Sequence, residues 1–291
     1  MTQKILAFSG AKQSGKSTAC NIICGMETQS LGIVDDFNVG QNGELLVHEP
    51  GHPDNVYVLL NQFSNEHDTV AWFEENVFPY VKVYSFADEL KLLCVNLLGL
   101  DYNLVYGTDV DKNTLTHLDW GNMPGILTPE AYELLNKRFK YDLCSYEDKL
   151  WIADDIGCVF HEPGPMTVRD VLQYVGTNIF RRMYSKVWVN SCINKILAEG
   201  SQFALICDAR FEDEVQTVQE VGGKVIRLTR SPYAHLDKHG SETVLDNYQG
   251  FDWVLDNKNM TIDEAGKALY YKLREWGYLE YEIQFGENAP S

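Results

Sequence analysis

Eight residues near the start of the chain have the spacing of a phosphate-binding loop, Gly10-Ala11-Lys12-Gln13-Ser14-Gly15-Lys16-Ser17. The glycines allow backbone angles at which successive amide N–H groups surround a phosphate. Lys16 would add a charge between the β- and γ-phosphates, and Ser17 a hydroxyl for Mg²⁺. The apolar run Lys4–Phe8 precedes the loop, and a helix-compatible segment, Thr18–Cys24, follows it. A glycine-rich structural turn is the alternative. The residues predicted to bind the nucleotide here are Gly10, Lys12, Gln13, Ser14, Gly15, Lys16, Ser17 and Thr18.

A second group of candidates lies where another apolar run ends. Asp208 directly follows Phe203–Cys207, and an acid at the tip of a strand beside the phosphate loop can hold Mg²⁺ through water. The alternative is a turn or helix-capping role, because a helix is predicted to begin at Phe211. Arg210 is placed to reach a phosphate, or alternatively to pair with Glu214 at helical spacing.

The segment Thr167–Thr177 has an unusual polar face if it is helical. Arg169, Gln173 and Gly176/Thr177 would share that face. A guanidinium beside an amide suits a phosphate together with a base edge, whereas the alternative is an ordinary solvated face. The predicted apolar face consists of Val168, Leu172, Val175 and Ile179. Further cations in this acidic chain are Arg181, Arg182 and Arg230.

Composition limits the partners. The 42 acidic and 24 basic residues give a net charge of −18, which argues against broad contact with nucleic acid or an anionic membrane. A few arginines in one cleft remain compatible with it. The seven cysteines are scattered, and His235 and His239 lack an acidic or Cys partner for a metal site. No apolar run reaches membrane-spanning length. We therefore expect a soluble cytoplasmic protein with reduced thiols.

The pattern of apolar runs predicts an α/β fold. Strands are predicted at Lys4–Phe8, Val81–Phe86, Phe203–Cys207, Lys224–Thr229 and Asp252–Leu255. Helices are predicted at Lys16–Cys24, Ala87–Leu98, Val168–Arg182, Lys186–Glu199, Phe211–Val221 and Ile262–Trp276. Thr261 and Glu264 predict a capping box at the last helix. Because strands alternate with helices, we expect a five-stranded parallel sheet with helices on both faces.

Two segments interrupt this alternation within what we predict to be a single domain over residues 1–291. Residues 27–80 contain the turn signal Gly40–Gly43 before the strand-like run Glu44–Val47, with another such run at Asn55–Leu60. They predict a β-rich insertion that forms a lid or an acceptor-binding segment. Residues 101–165 form a second insertion, with one predicted helix at Pro129–Lys140.

Several blocks of the sequence together resemble the deoxynucleoside monophosphate kinases of tailed bacteriophages, which have the P-loop nucleoside-monophosphate-kinase fold. The blocks are Gly10–Ser17, Phe86–Lys91, Arg169–Thr177 with Trp188, Asp208–Glu214, Gly222–Ile226 and His239–Glu242. The resemblance covers most of residues 1–24 and 80–257 apart from the second insertion. It implies ATP and Mg²⁺ as cofactors, a deoxynucleoside monophosphate as acceptor, and leaves a homodimer open.

The resemblance also suggests roles for individual residues. Arg169 and Arg210 would hold the acceptor phosphate, and Phe86, Lys91 and Gln173 would line the deoxynucleotide pocket. With these roles assigned, the predicted acceptor site also includes Thr177, Arg181 and Glu214. The predicted donor site includes Arg230, the metal site Ser17 and Asp208, and the catalytic set Lys16, Arg169, Asp208 and Arg210.

A phosphate acceptor is already anionic near neutral pH, so its transfer reaction needs alignment and charge neutralisation but no general base. Two rival functions stay open. A kinase with a hydroxyl acceptor, on a nucleoside, a sugar or a modified base in DNA, would use Asp88 or Glu89 as the base. A P-loop ATPase or nucleotide-dependent binding module would hydrolyse ATP without any acceptor.

Overall fold

The computed structural model describes residues 3–48, 57–60, 67–139, 157–231 and 244–282. The chain divides into two compact units, one comprising Met1–Phe86 with Trp188–Ser291 and the other Ala87–Val187. The single domain expected over residues 1–291 stays a prediction. His235, His239 and the block His239–Glu242 lie outside the described residues.

The strands and helices follow each other along the chain in a largely alternating order. The strands are β1 (Lys4–Gly10), β2 (Asp36–Val39), β3 (Leu45–His48), β4 (Val58–Leu59), β5 (Val81–Tyr84), β6 (Leu115–Asp119), β7 (Ile126–Leu127), β8 (Val159–Phe160), β9 (Pro165–Thr167), β10 (Phe203–Ala209), β11 (Lys224–Leu228) and β12 (Trp253–Leu255). The α-helices are α1 (Lys16–Ser30), α2 (His67–Asn76), α3 (Asp88–Asn96), α4 (Tyr102–Tyr106), α5 (Asp109–Lys112), α6 (Pro129–Phe139), α7 (Val168–Gln173), α8 (Val187–Glu199), α9 (Glu212–Glu220) and α10 (Ile262–Glu275). A 3₁₀-helix spans Trp120–Asn122, and a π-helix spans Tyr174–Arg181.

The first unit is built on a five-stranded sheet in the order β12-β11-β1-β10-β5. Every neighbouring pair is parallel, and Ala7 of β1 lies opposite both Ile206 of β10 and Val225 of β11. The central strands are buried almost without interruption, as strands covered on both faces must be. All five strands predicted from the sequence are in this sheet, so the predicted fold class is confirmed.

Helix α1 follows β1 and is longer than predicted. It continues to Ser30, because Ile23, Cys24, Met26 and Thr28 still face the core. The first residues assigned to the insertion at 27–80 are therefore helical. At the other end of the chain, the predicted capping box of α10 is present: Thr261 Oγ1 accepts from the Glu264 N–H at 3.2 Å, and the Glu264 carboxylate accepts from the Thr261 N–H at 2.8 Å.

The described part of the first insertion is a three-stranded antiparallel sheet, β2-β3-β4, followed by α2. The turn at Gly40–Gly43 joins β2 to β3, as its sequence predicts. The side chains of Leu45 and Val47 are buried in the same core cluster as α1. This core contact fixes the hairpin to the helix that carries the phosphate loop.

The second unit contains α3 to α7, the π-helix and two small strand pairs, β6-β9 and β7-β8. Its α7 and π-helix correspond to the single helix predicted over Val168–Arg182. The predicted apolar face is only partly right. Val168 and Val175 are buried, but Leu172 and Ile179 are partly exposed, and the other buried positions are Val171, Tyr174 and Gly176. The i→i+5 hydrogen bonds of the π-helix shift the helical phase and account for Ile179, whereas Leu172 lies before the π-helix.

Within the described ranges, none of the helices combines the length and the hydropathy that crossing a bilayer requires.

Glu27 on α1 has an environment that makes stability depend on pH. Burial raises the pKa of its carboxyl to about 7, although Lys4 and Tyr281 act in the opposite direction. Because the folded-state pKa lies above the ordinary value, the stability contributed by the protonated carboxyl is present below about pH 4.5 and is lost as the pH rises through about 7.

We expect Glu27→Gln, which cannot ionise, to raise the free energy of unfolding by about 2 kcal/mol relative to wild type near pH 8 and by much less near pH 4.5. Urea unfolding at the two pH values measures this. Glu75→Gln, at an exposed position on α2, is the matched control. A gain that is equal at both pH values would contradict the prediction.

Candidate functional site

The phosphate loop connects β1 to α1 and depends on two glycines. Gly15 has φ +98° and Gly10 has φ +156°. A Cβ atom on Gly10 would collide with Ser14 Oγ and lie 3.0 Å from the Leu228 carbonyl oxygen. Gln13 also has a positive φ, +57°. The backbone therefore curls back on itself directly before the helix, and the first N–H groups of α1 have no intrahelical acceptor.

The ammonium group of Lys16 lies over this loop. Lys16 Nζ donates to the carbonyl oxygens of Gly10 at 2.8 Å and Ala11 at 2.7 Å, and lies 3.5 Å from Ser14 Oγ. A point charge, a curled backbone and the N-terminus of a 15-residue helix thus share one place. Each of the three attracts an anion, so together they form a site suited to phosphate.

Asn257, a residue that the sequence analysis missed, holds the loop from the side. It is 8% exposed. Its Nδ2 donates to the Ser14 carbonyl oxygen at 2.8 Å, and its Oδ1 accepts from the Arg230 N–H at 2.9 Å. It follows β12 at the carboxyl edge of the sheet, where open α/β sheets bind their ligands. That position in the sequence is the signal that could have identified it.

Asp208 lies near the end of β10, next to β5. Its Oδ2 accepts from Ser85 Oγ at 2.6 Å, and its Oδ1 accepts from the Phe86 N–H at 2.8 Å. The side chain therefore joins the ends of two neighbouring strands and does not cap the helix that begins after Phe211, which was the alternative. Phe86 itself is 3% exposed and is the last residue of the first unit.

The thiol of Cys20, on α1, is buried. Burial raises the pKa of Cys20 well above its ordinary value. Cys207, Cys24 and Asp208 raise this pKa further, and Lys16 lowers it. The net effect keeps the thiol in its neutral form.

Arg210 and Glu214 are linked through the backbone. The Glu214 carboxylate is 3% exposed and accepts from the N–H groups of Arg210 at 2.7 Å and Phe211 at 3.0 Å. It thereby caps the start of α9, as an acid at N3 commonly does. We therefore expect any effect of Glu214 on a substrate to be indirect, through the chain segment that carries Arg210.

Four cations surround a small cavity at the carboxyl end of the sheet: Lys12, Lys16, Arg210 and Arg227. Arg227 was also missed. Its side chain is 15% exposed, and it donates to Ser9 Oγ at 3.0 Å and to Asp246 Oδ1 at 2.8 Å. A charged residue within the otherwise apolar end of β11 is the sequence signal that could have found it. The cavity suits a polyanion.

A larger cleft of about 520 Å³ adjoins the other side of the loop. Its polar lining includes Ser17, Thr18 and Arg230, and α10 contributes apolar side chains. This volume is typical of small-molecule sites. The predicted donor residues therefore lie along one continuous surface in the first unit.

The predicted acceptor residues other than Phe86, Arg210 and Glu214 lie in the second unit. Arg169 Nη2 is 2.6 Å from Asp109 Oδ1, and its Nε donates to Asn113 Oδ1 at 3.1 Å. Lys91 Nζ is 3.5 Å from Asp88 Oδ1 and 4.9 Å from the centre of the Tyr106 ring. The remaining three are partly exposed on α7 and the π-helix: Gln173, Thr177 and Arg181.

Gly176, expected on the polar face beside Arg169, is buried instead. A Cβ atom at this position would lie 2.6 Å from Leu90 Cδ2, so the glycine allows the π-helix to approach α3 closely.

Arg182, a further cation named from the sequence, donates to the Gly157 carbonyl oxygen. Within the described residues, no group of three or more His, Cys, Asp or Glu side chains is arranged to hold a metal ion by itself.

The role of Asn257 can be tested directly. Asn257→Ala removes the donor to Ser14 and loosens the loop, so we expect the dissociation constant for the polyanion tripolyphosphate to rise about tenfold. Calorimetric titration measures the affinity. Asn76→Ala is the matched control, because Asn76 also donates to a backbone carbonyl, that of Trp72 at 2.9 Å, but does not contact the loop. An unchanged affinity, or equal losses in both variants, would contradict this role.

Comparison with known proteins identifies the family. The family model described as deoxynucleotide monophosphate kinase matches residues 87–267. A protein of Acanthamoeba polyphaga mimivirus, which carries a provisional name as a deoxynucleotide monophosphate kinase, is 27% identical over 195 residues. That alignment covers 62% of this chain and 76% of the viral protein. Because the family match covers more than half of the sequence, the chain belongs to the deoxynucleotide monophosphate kinase family and is a kinase.

Proposed function

We propose that the chain transfers the γ-phosphoryl group of ATP to a deoxynucleoside 5′-monophosphate, giving ADP and a deoxynucleoside diphosphate. The observation that carries the proposal is the Gly10–Ser17 loop with the Lys16 ammonium over it, in a chain of this family. The name of the viral relative points to the same class of acceptor.

The donor phosphates would lie on the loop. Its backbone N–H groups, the start of α1 and Lys16 supply positive charge that is already in place before the reaction begins. The Lys16 ammonium would exchange its contacts with the carbonyl oxygens of Gly10 and Ala11 for phosphate oxygens. Asn257 keeps the loop in shape during that exchange.

The residues near the loop fit a magnesium ion held partly through water. The Ser17 hydroxyl is a suitable direct ligand. The Asp208 carboxylate, which accepts hydrogen bonds from Ser85 and Phe86, is a suitable acceptor for a metal-bound water. A bound Mg²⁺ would neutralise charge on the β- and γ-phosphates.

The acceptor needs alignment more than activation. A phosphate monoester has a second pKa of about 6, so its oxygen is anionic near neutral pH and attacks without a general base. The new bond joins that oxygen to the γ-phosphorus while the bond to the β-phosphate oxygen breaks, and ADP leaves with the electron pair.

Cations offset the charge that gathers during this step. Arg210 lines the cationic cavity beside Lys16. Arg169, the proposed acceptor ligand in the second unit, is already oriented by Asp109 and Asn113. A bound phosphate would take the place of Asp109 as the partner of the Arg169 guanidinium. Because Asp109 is half-exposed, breaking this ion pair costs little free energy.

The central test is Lys16→Ala. We expect turnover to fall by a factor of about 10³ or more, while the far-ultraviolet circular dichroism spectrum and the melting temperature stay those of wild type. Lys82→Ala is the matched control, because Lys82 is on β5 and pairs with Glu199 at 2.6 Å. Near-normal turnover in Lys16→Ala would overturn the proposal.

A coupled ADP assay on wild type separates the acceptors. We expect turnover with deoxynucleoside monophosphates only. Turnover with deoxynucleosides or modified duplex DNA would favour a hydroxyl acceptor instead. ATP hydrolysis that no monophosphate changes would favour an ATPase.

Asp208→Asn removes the negative charge while keeping the size of the side chain. We expect turnover to fall about 10- to 100-fold and the magnesium concentration needed for half-maximal rate to rise. A magnesium titration of the rate measures both effects. Asp35→Asn, at an exposed position before β2, is the control. An unchanged magnesium requirement would count against a metal role for Asp208.

A further inference from the structure

The turn between β2 and β3 is fixed to the beginning of the phosphate-loop helix. Asn21 Nδ2 donates to the Gly43 carbonyl oxygen at 2.8 Å. Gly43 has φ +87° and approaches Thr18 so closely that a Cβ atom would collide with Thr18 Oγ1. We refer to this turn, residues 40–44, as the hairpin tip. Both residues that contact it, Thr18 and Asn21, lie in the first two turns of α1.

The hairpin tip has its own internal order. The Gly43 N–H donates to the Gly40 carbonyl oxygen at 2.8 Å, and the Gly40 N–H donates to the Glu44 carbonyl oxygen at 2.9 Å. The Glu44 carboxylate accepts from the Asn42 N–H at 3.1 Å and from Asn42 Nδ2 at 2.8 Å. The Asn42 side chain is therefore oriented before any ligand arrives, which reduces the entropy lost on binding.

A second close contact anchors the hairpin further along α1. The Phe37 ring packs so tightly on Gly25 that any side chain at residue 25 would overlap it. The hairpin therefore contacts α1 at two places, through Gly43 against the Thr18 side chain and through the Phe37 ring against Gly25. These two contacts pack the hairpin against the helix.

The hairpin tip forms part of the cleft beside the phosphate loop. Gln41 and Asn42 line the cleft together with Ser17, Thr18 and Arg230. The wall formed by α10 and the residues before it is largely apolar, with Met260, Ile262, Ala265 and Leu269. A nucleoside presents apolar ring faces and polar edges, and this cleft offers an apolar wall together with two side-chain amides.

We propose that the hairpin tip contacts the nucleoside part of the donor nucleotide, with Gln41 and Asn42 binding its polar edges while the base packs on Met260, Ile262 and Ala265. This inference rests on the proposed function, since the phosphates of the donor must lie on the loop. A nucleotide held there extends into the adjoining cleft. A role of the insertion at 27–80 as a lid or an acceptor-binding segment stays a prediction, and its hairpin tip lines the cleft beside the phosphate loop.

Tripolyphosphate provides the sharpest probe, because it has the phosphates of ATP and lacks the nucleoside. For the double variant Gln41→Ala/Asn42→Ala, we expect the dissociation constant for ATP to rise about 5- to 10-fold and that for tripolyphosphate to stay within about twofold. The KM for the deoxynucleoside monophosphate and kcat should change little. Asn38→Ala is the matched control, because Asn38 is exposed on the same hairpin and outside the cleft lining.

The outcomes separate this inference from the proposed function. Equal ATP affinity in wild type and the double variant, with binding still dependent on Lys16, overturns the hairpin contact alone. A rise in the KM of the acceptor, or equal losses for ATP and tripolyphosphate, also overturns it. Wild type that binds no ATP overturns the proposed function first. If the double variant folds poorly, the single variant Gln41→Ala is measured in its place, because Gln41 is exposed and its replacement should not disturb folding.

Discussion

The close approach of Gly10 to Ser14 and to the Leu228 carbonyl is the constraint on which the shape of the Gly10–Ser17 loop depends. A phosphate loop works only if its N–H groups point to one place, and that requires the chain to turn within the space of a single residue. At Gly10 there is no room for a side chain between Ser14 and the Leu228 carbonyl. Asn257, which follows β12, then holds the loop from the side, so residues from three strands of the sheet together determine the shape of the loop.

The charge of the chain and the charge of its site have opposite signs. The net charge is −18, yet four cations surround the cavity at the ends of β1, β10 and β11. Their placement follows from topology, because the carboxyl ends of parallel strands meet at one edge. Arg227 is oriented by Ser9 and Asp246, so its charge is directed and partly balanced. The electrostatic field of these nearby cations, and not the net charge of the chain, determines whether an anion can bind in this cavity.

The sequence predicts what local patterns determine and misses what distant contacts decide. The five strands and the capping box of α10 follow from periodicity and from residues three apart, and all are present. Asn257 acts on Ser14, 243 residues away, and Arg227 on Ser9, 218 residues away. No local pattern encodes such contacts. The predicted apolar face of α7 and the π-helix is right at Val168 and Val175 and wrong at Leu172 and Ile179, of which only Ile179 lies in the π-helix, where the helical phase changes.

The hairpin shows how an insertion can become part of an existing site. A loop that merely extended from the sheet would add nothing to binding, because ordering it would cost the free energy gained from its contacts. Here the close approach of Phe37 to Gly25 and of Gly43 to Thr18 packs the added strands against α1. The residues that allow this packing are Gly25 and Gly43, and their role cannot be inferred from the sequence without knowing that Phe37 and Thr18 contact them. An insertion anchored in this way can supply binding groups beside the phosphate loop without altering the loop itself.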